Sequence, residues 1–246
     1  MILLLGGTTE GKITAECLDE WEIPYVYSTR HQIHFQGAGK YRYGDLNPSN
    51  LRGFCQRYKI QLVLNAAHPF ATELHANLAQ TLFKLPLYRI VRKEYPRISH
   101  SLINYVKDFS ELLPQILPLS SLLALSGLKS IPPLKAFWKN KACWIRIMDK
   151  DSSQKQAEAW KFPTQYLILG TPQDLKSEKQ LIQKLNPSAV LTKESGKEGG
   201  LNIKIEACLE TQKPLFVLKT PPLPPVFQLI LNKKDLRNRL KSHGYT

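Results

Sequence analysis

No two of the four cysteines in this 246-residue chain form a C-x-x-C pair: Cys17, Cys55, Cys143 and Cys208 lie far apart. That spacing argues against a disulfide framework and a cysteine-held zinc, and predicts free thiols in a reducing compartment. No stretch supplies the ~20 apolar residues that a bilayer-crossing helix needs. The longest greasy segment, 112–128, is broken by Pro114, Gln115, Pro118, Ser120, Ser121 and Ser126. His31 and His34 have no companion carboxylate, so no metal site is expected. The opening Met1–Leu5 has no basic leader and runs straight into Gly6-Gly7, which reads as a first strand and not a signal peptide. A cytoplasmic protein with no membrane contact is expected. Acidic residues are also few: 20 Asp and Glu against 34 Lys and Arg leave a formal net charge of +14, which favours an anionic partner. The basic residues are scattered and match no zinc-finger, RRM or KH pattern, so a polycarboxylate or phosphorylated small molecule is favoured over nucleic acid. Exposed charge pairs are worth only about 1 kcal/mol in water and are screened over about 8 Å, so this field would steer a ligand more than hold it.

What the chain does have is an alternation of short β-like runs and helical patterns from end to end, the mark of parallel sheets built from crossover units. Strands are predicted at Ile2–Leu5, Tyr25–Ser28, Leu62–Asn65 and Leu87–Ile90, then at Ser121–Leu125, Cys143–Ile147, Tyr166–Leu169, Ala189–Thr192 and Leu215–Leu218. Between them, Ile13/Cys17/Trp21, Phe70/Leu74/Leu78/Leu82 and Leu201/Ile205/Cys208 fall at helical spacing and read as core stripes. The polar segment from Arg92 to His100 is the expected domain boundary, giving an N-terminal dinucleotide-binding lobe over 1–96 and a C-terminal α/β lobe over 97–246. The proline run 220–225 is expected to end the sheet ahead of a basic helix around Phe227–Lys241. No internal repeat is visible. The predicted fold class is α/β: two Rossmann-like lobes with mainly parallel sheets and a cleft between them, where a ligand would sit.

Four segments carry candidate chemistry. Gly6-Gly7-Thr8-Thr9-Glu10-Gly11 follows a strand and precedes a helix, where glycines let the backbone turn tightly and approach a pyrophosphate. The spacing is not G-x-G-x-x-G, so a plain strand-to-helix turn with Thr8 or Thr9 as N-cap stays open. At the end of the second strand, where an NAD site offers a carboxylate to the ribose, the chain has Ser28, Thr29 and Arg30. Hydroxyls and a guanidinium suit a 2′-phosphate, which points to NADPH over NADH; Arg30 as a solvated loop cation is the alternative. Asn65-Ala66-Ala67-His68-Pro69-Phe70-Ala71 again joins a strand end to a helix start. His68 there is a candidate for contact with nicotinamide, substrate or a migrating proton, or else a structural hydrogen bonder. His75 reads as a surface or packing residue. The last segment, Thr192-Lys193-Glu194-Ser195-Gly196-Lys197-Glu198-Gly199-Gly200, is either an anion-friendly loop or a solvated turn.

Taken in order, Gly6-Gly7-Thr8, Tyr43-Gly44-Asp45-Leu46, His68-Pro69-Phe70-Ala71, Arg89-x-x-Arg92, Ser126-Gly127 and Thr192 to Gly196 with Gly199-Gly200 resemble the precorrin-6A reductases of corrin-ring (cobalamin) biosynthesis along nearly the whole chain. The resemblance implies NADPH, or NADH in some members, and reduction of precorrin-6A or its cobalt form to the 6B form by hydride transfer to the macrocycle. It implies cofactor contacts at Gly6, Gly7, Thr8, Ser28, Thr29, Arg30 and Pro69, with His68 as the catalytic candidate at the nicotinamide. Arg89, Arg92, Ser126, Lys193, Ser195 and Gly196 are then the candidates for the many carboxylates of a tetrapyrrole substrate. The sequence departs from the family pattern in places. Asn65 and Ala67 replace the Asp and Thr of the histidine loop, Leu125-Ser126-Gly127 replaces T-T-G, Gly170-Thr171-Pro172-Gln173 replaces G-P-F-S, and Lys219-Thr220 replaces R-P. A divergent, non-catalytic tetrapyrrole- or nucleotide-binding protein is therefore the rival reading. A sugar-nucleotide dehydratase or epimerase is disfavoured, because neither Tyr41 nor Tyr88 has a Lys four residues on. The sequence leaves open the cobalt content of the substrate, the proton donor, the oligomeric state and any association with other corrin-pathway enzymes.

Overall fold

The computed structural model describes residues 1–91, 96–195 and 199–245. The chain divides into two units, one of Met1–Lys93 with Pro222–Thr246 and one of Glu94–Pro221. The first unit begins β1 (Ile2–Leu5), α1 (Thr9–Glu20), β2 (Tyr25–Thr29), β3 (Lys40–Tyr43), α2 (Pro48–Arg57), β4 (Leu62–Asn65), α3 (Thr72–Thr81) and β5 (Leu87–Ile90). The second unit holds β6 (Ile103–Val106), α4 (Phe109–Ile116), β7 (Ser121–Ala124), α5 (Lys135–Trp138), β8 (Ala142–Ile147), α6 (Asp151–Ala159), β9 (Leu167–Leu169), α7 (Leu175–Leu185), β10 (Ala189–Lys193), α8 (Leu201–Glu210) and β11 (Leu215–Leu218). The chain then adds β12 (Gln228–Ile230) and α9 (Lys233–Ser242) to the first unit.

Each unit is built on a six-stranded, wholly parallel sheet, ordered β12-β5-β4-β1-β2-β3 in the first and β6-β11-β10-β7-β8-β9 in the second. Central strands such as Ile2–Leu5 and Leu62–Asn65 are buried on both faces, which is why they read as nearly unbroken apolar runs. Alternate residues feed two core layers in the first unit. Ile2, Leu4, Tyr25 and Tyr27 pack toward α1 and α9, whereas Leu3, Leu5, Val26 and Val63 pack toward α2 and α3. In the second unit Leu123, Val190 and Val217 pack with Ile182, Ile205 and Cys208 of α7 and α8. All four cysteines are free and buried. Among the described residues no helix is long and apolar enough to cross a membrane.

Several sequence expectations need correction. The second lobe does not run to the C-terminus. The proline run ends the second unit's sheet, but the chain then returns, and Gln228–Ile230 pairs in parallel with Tyr88–Ile90 at the edge of the first sheet. The expected helix over 227–241 therefore starts only at Lys233, capped by Asn232. Strands β3 and β6 were not foreseen. The core face of α1 is Gly11, Thr14, Ala15 and Leu18, with Cys17 at its margin, and Ile13 is 53% exposed. The rotation follows from Gly11: a Cβ there would lie 2.8 Å from the Gly6 Cα, so this bare face can lie close against the β1 turn. Phe70 precedes α3, whose buried residues include Leu78, with Leu82 following at the C-cap. Tyr166 belongs to a single 3₁₀ turn, and its strand starts at Leu167.

Candidate active site

In both sheets the strand order reverses at a central strand, and the crevice outside the carboxyl ends of the strands at such a switch point is where open α/β sheets bind ligands. In the first unit the reversal lies at β1, flanked by β2 and β4. Gly6, Gly7 and Thr8 form the turn above it. Gly7 has a φ of +86°, a conformation that L side chains rarely adopt, and its amide donates to the Tyr27 hydroxyl at 3.0 Å. A Cβ on Gly6 would lie 2.1 Å from the Tyr27 ring, so only a bare backbone fits. Burial raises the pKa of the Tyr27 phenol. Thr8 is the N-cap of α1: its Oγ1 accepts from the Gly11 amide at 3.1 Å and donates to the Ala66 carbonyl at 2.6 Å, joining the tips of β1 and β4. The result is a helix N-terminus behind a turn whose two glycines carry no side chain, a cradle that suits a pyrophosphate. The glycine turn and the histidine loop are thus neighbours.

On the β4 side, His68 is exposed. Its Nδ1 accepts from the Phe70 amide at 3.2 Å, which assigns the proton of the neutral ring to Nε2, and Pro69 and Phe70 form the turn into α3. Beneath this loop lies a polar row. Asn65 is fully buried, with its Oδ1 accepting from the Ala67 amide at 3.1 Å and from Arg89 Nη1 at 3.2 Å. Arg89, level with Asn65 in the β4–β5 register, is buried with it. His75 of α3 is buried rather than on the surface, packs edge-on against Phe227, and has its pKa pushed down to about 4 by burial, then by Arg89 and His68. Arg92 lies outside the described residues.

At the tip of β2, Ser28 and Thr29 are both buried and engaged. Ser28 Oγ accepts from Arg42 Nη1 at 3.0 Å, while Thr29 Oγ1 donates to the His31 carbonyl at 2.7 Å and shares a 3.0 Å bond with the Tyr41 hydroxyl. Arg30 is exposed and pairs with Asp45 at 3.0 Å. Arg42 was not anticipated. It sits on β3, whose Lys-Tyr-Arg-Tyr sequence mixes charge and aromatics and so hides the strand; its nearest sequence signal was the adjoining Tyr43-Gly44-Asp45-Leu46 motif.

The second unit reverses at β7, flanked by β8 and β10. Ser126 is buried and accepts from the Ser130 hydroxyl at 2.7 Å; Gly127 has a φ of +83° with open space where a Cβ would stand. At the tip of β10, burial and Lys129 push the Lys193 pKa down to about 8. Glu194 receives both Arg97 guanidinium bonds, at 2.7 and 3.2 Å, and the Thr220 amide at 2.9 Å. Ser195 is buried, and a Cβ on Gly199 would lie 2.0 Å from its Oγ, so these two residues are closely packed. Gly196 lies outside the described residues. Sequence reasoning missed a buried charge group behind this loop. Arg146 donates from Nη1 to Glu178 Oε2 at 3.0 Å, and its Nη2 lies 2.8 Å from Oε1, close enough for an ion pair though not aligned as a hydrogen bond. Lys204 donates to the Gly199 carbonyl at 2.8 Å, its pKa brought down to about 8 by burial and Arg146.

Comparison with known proteins bears on these tips directly. The family model described as precorrin-6x reductase CbiJ/CobK matches residues 1–239. The chain is 27% identical to the cobalt-precorrin-6A reductase of Methanocaldococcus jannaschii over 232 residues, covering 90% of this chain and 91% of that protein. It is 26% identical to the precorrin-6A reductase of Rhodococcus erythropolis over 241 residues, covering 93% and 92%. A solved structure titled CobK precorrin-6A reductase superposes with a TM-score of 0.76 over 100% of this chain and 98% of that one, at 18% identity, which shows a shared fold. With the family model spanning both units and all the tips described above, the chain belongs to the precorrin-6x reductase CbiJ/CobK family.

Proposed function

We propose that this protein reduces one double bond of precorrin-6A, or of its cobalt form, with NADPH as the hydride donor. Family membership makes it an oxidoreductase acting on the precorrin macrocycle; the cofactor, the substrate form and the residue roles are the proposal. The observation that carries the cofactor reading is the glycine turn at Gly6-Gly7 above the first unit's switch point, with the Thr8-capped N-terminus of α1 behind it. When bound, the nicotinamide supplies the hydride, and the protein's work is to place its C4 about 3 to 3.5 Å from the accepting carbon. Gly6 and Gly7 keep side chains away from the pyrophosphate, which meets the backbone at the N-terminus of α1, beginning with Thr8. The β2 tip at Ser28 and Thr29 takes the adenosine ribose and its 2′-phosphate. His68 and Pro69 shape the nicotinamide side. Lys193, Ser195, Ser126 and Arg89 are assigned to carboxylates of the macrocycle, together with Arg92 and Gly196. The basic excess of the chain draws in a substrate carrying many negative charges.

The test is anaerobic mixing of the purified protein with NADPH and either macrocycle. Conversion should change the absorption spectrum of the ring in step with loss of nicotinamide absorbance at a 1:1 ratio. Tight dinucleotide and macrocycle binding with no spectral change would instead identify a non-catalytic binder and overturn the reductase proposal.

A further inference from the structure

Arg42 and Arg30 both stand at the tip of β2 and β3, but in different states. Arg42 is level with Ser28 in the β2–β3 register. Its Nη1 donates to Ser28 Oγ at 3.0 Å, its Nη2 donates to the carbonyls of Tyr43 and Gly44 at 2.8 and 2.9 Å, and its guanidinium lies 5.5 Å from the centre of the Phe54 ring. These neighbours fix the side chain: among the described residues, none in hydrogen-bond or ion-pair contact with it is a carboxylate, and Asp45 acts on it only from beyond contact. Arg30 is the reverse case. Its contact is the Asp45 carboxylate, at 3.0 Å, and the two side chains are 57% and 64% exposed. A ligand phosphate reaching Arg30 would have to displace or approach that carboxylate, which repels it, and would also have to order a solvated side chain. At Arg42 the ordering has already occurred in the free protein, and a planar guanidinium with remaining donor capacity is held against Ser28 at the tip of β2, the strand end at which folds of this kind hold the adenosine ribose.

We infer that Arg42, acting with Ser28, reads the 2′-phosphate of the dinucleotide and sets the preference for NADPH, while Arg30 and Asp45 form a loose outer pair. The inference rests on the dinucleotide reading of the first unit given above. It is tested by calorimetric titration with 2′,5′-ADP and 5′-AMP, and by nicotinamide fluorescence with NADPH and NADH. Wild type should favour the 2′-phosphorylated member of each pair. Arg42→Ala should weaken 2′,5′-ADP and NADPH ten-fold or more and change 5′-AMP and NADH less than two-fold. Arg30→Ala should change all four less than three-fold. Arg42→Lys, which keeps the charge and spares β3, should retain part of the preference. The inference is overturned if Arg42→Ala weakens all four ligands alike, if both Arg42 variants keep the full preference, if the loss appears at Arg30→Ala, or if wild type shows no preference. A wild type that binds neither dinucleotide would remove the cofactor reading as well, whereas binding with a preference indifferent to Arg42 removes this inference alone.

Discussion

The two units wind six parallel strands in one order, β3-β2-β1-β4-β5 plus β12 in the first and β9-β8-β7-β10-β11 plus β6 in the second, and then place different chemistry at the same point. Gly7, with φ +86°, corresponds to Gly127, with φ +83°. Asn65 corresponds to Thr192: both are fully buried, and each keeps one side-chain atom, Nδ2 or Oγ1, without a hydrogen-bond partner among the described residues. Continuing the β7–β8 register by one residue sets Ser28 against Arg146. In the first unit the row across the strand tips is thus a hydroxyl and an amide beneath a turn of two glycines. In the second unit a guanidinium enters that row and is met by a carboxylate from α7, with a lysine of α8 nearby. The fold supplies two switch points; the side chains decide that one suits a ligand's phosphates and that the other uses much of its charge on itself.

The largest effect that would sharpen this contrast is expected from Glu178→Ala. Glu178 is wholly buried and Arg146 nearly so, and Glu178 also accepts from the Gln173 amide at 3.1 Å. Removing the carboxylate strands a guanidinium in the interior, which costs about 3 to 5 kcal/mol and would lower the melting temperature by roughly 10 °C for a chain of this size. A shift under about 2 °C would mean that water reaches Arg146 and that the second unit's charges are not internally spent.

The next effect compares the two turns. Gly6→Ala drives a methyl into the Tyr27 ring, which is fully buried, and threatens the bond from the Gly7 amide. Overpacking of this kind costs about 1 to 3 kcal/mol, and dinucleotide affinity should fall at least ten-fold because the turn must shift. Gly127→Ala meets open space and carries only the backbone strain of φ +83° with ψ 176°, about 1 to 3 kcal/mol. Denaturant unfolding and NADPH titration of both variants decide it. Equal losses of stability and affinity in the two would break the distinction between the turns.

Much of the first switch point was legible because its signals are local. A glycine pair after Ile2–Leu5 and a histidine loop after Leu62–Asn65 are each readable within a few residues, and the strands proved continuous with those bounds. What stayed hidden was set by distant partners. β12 is three residues long and gains its identity only by pairing with β5, some 140 residues earlier in the chain. Arg42 reads as one charge among many until β3 is aligned with β2. Arg146, Glu178 and Lys204 come from three elements, and nothing in their spacing announces that they meet. Ile13 fits the helical period of a core stripe, yet which face of α1 is buried was decided by the bareness of Gly6 and Gly11.

The effect that is smallest at neutral pH separates the units by titration. His75 is buried, with Nε2 lacking a hydrogen-bond partner among the described residues, and its pKa is pushed down to about 4 from an ordinary 6.5. The unfolded chain therefore binds the proton first as pH falls, and stability contributed by the neutral ring drains away between about 6.5 and 4, at up to about 1.4 kcal/mol per pH unit. The second unit's depressed groups, Lys193 and Lys204, have folded pKa values near 8 against 10.5, so their window lies on the alkaline side, where stability rises as pH increases from 8 to 10.5. His75→Phe keeps a flat ring against Phe227 and removes the titration, so its stability should stay level over the acid window in which wild type declines, while the alkaline rise persists in both. The imidazole signal of His75 should likewise not move in an NMR titration until the pH is well below 6. A His75 signal titrating near 6.5, or an acid decline unchanged in His75→Phe, would show that water reaches the ring and that the polar layer under the histidine loop is open, unlike its counterpart in the second unit.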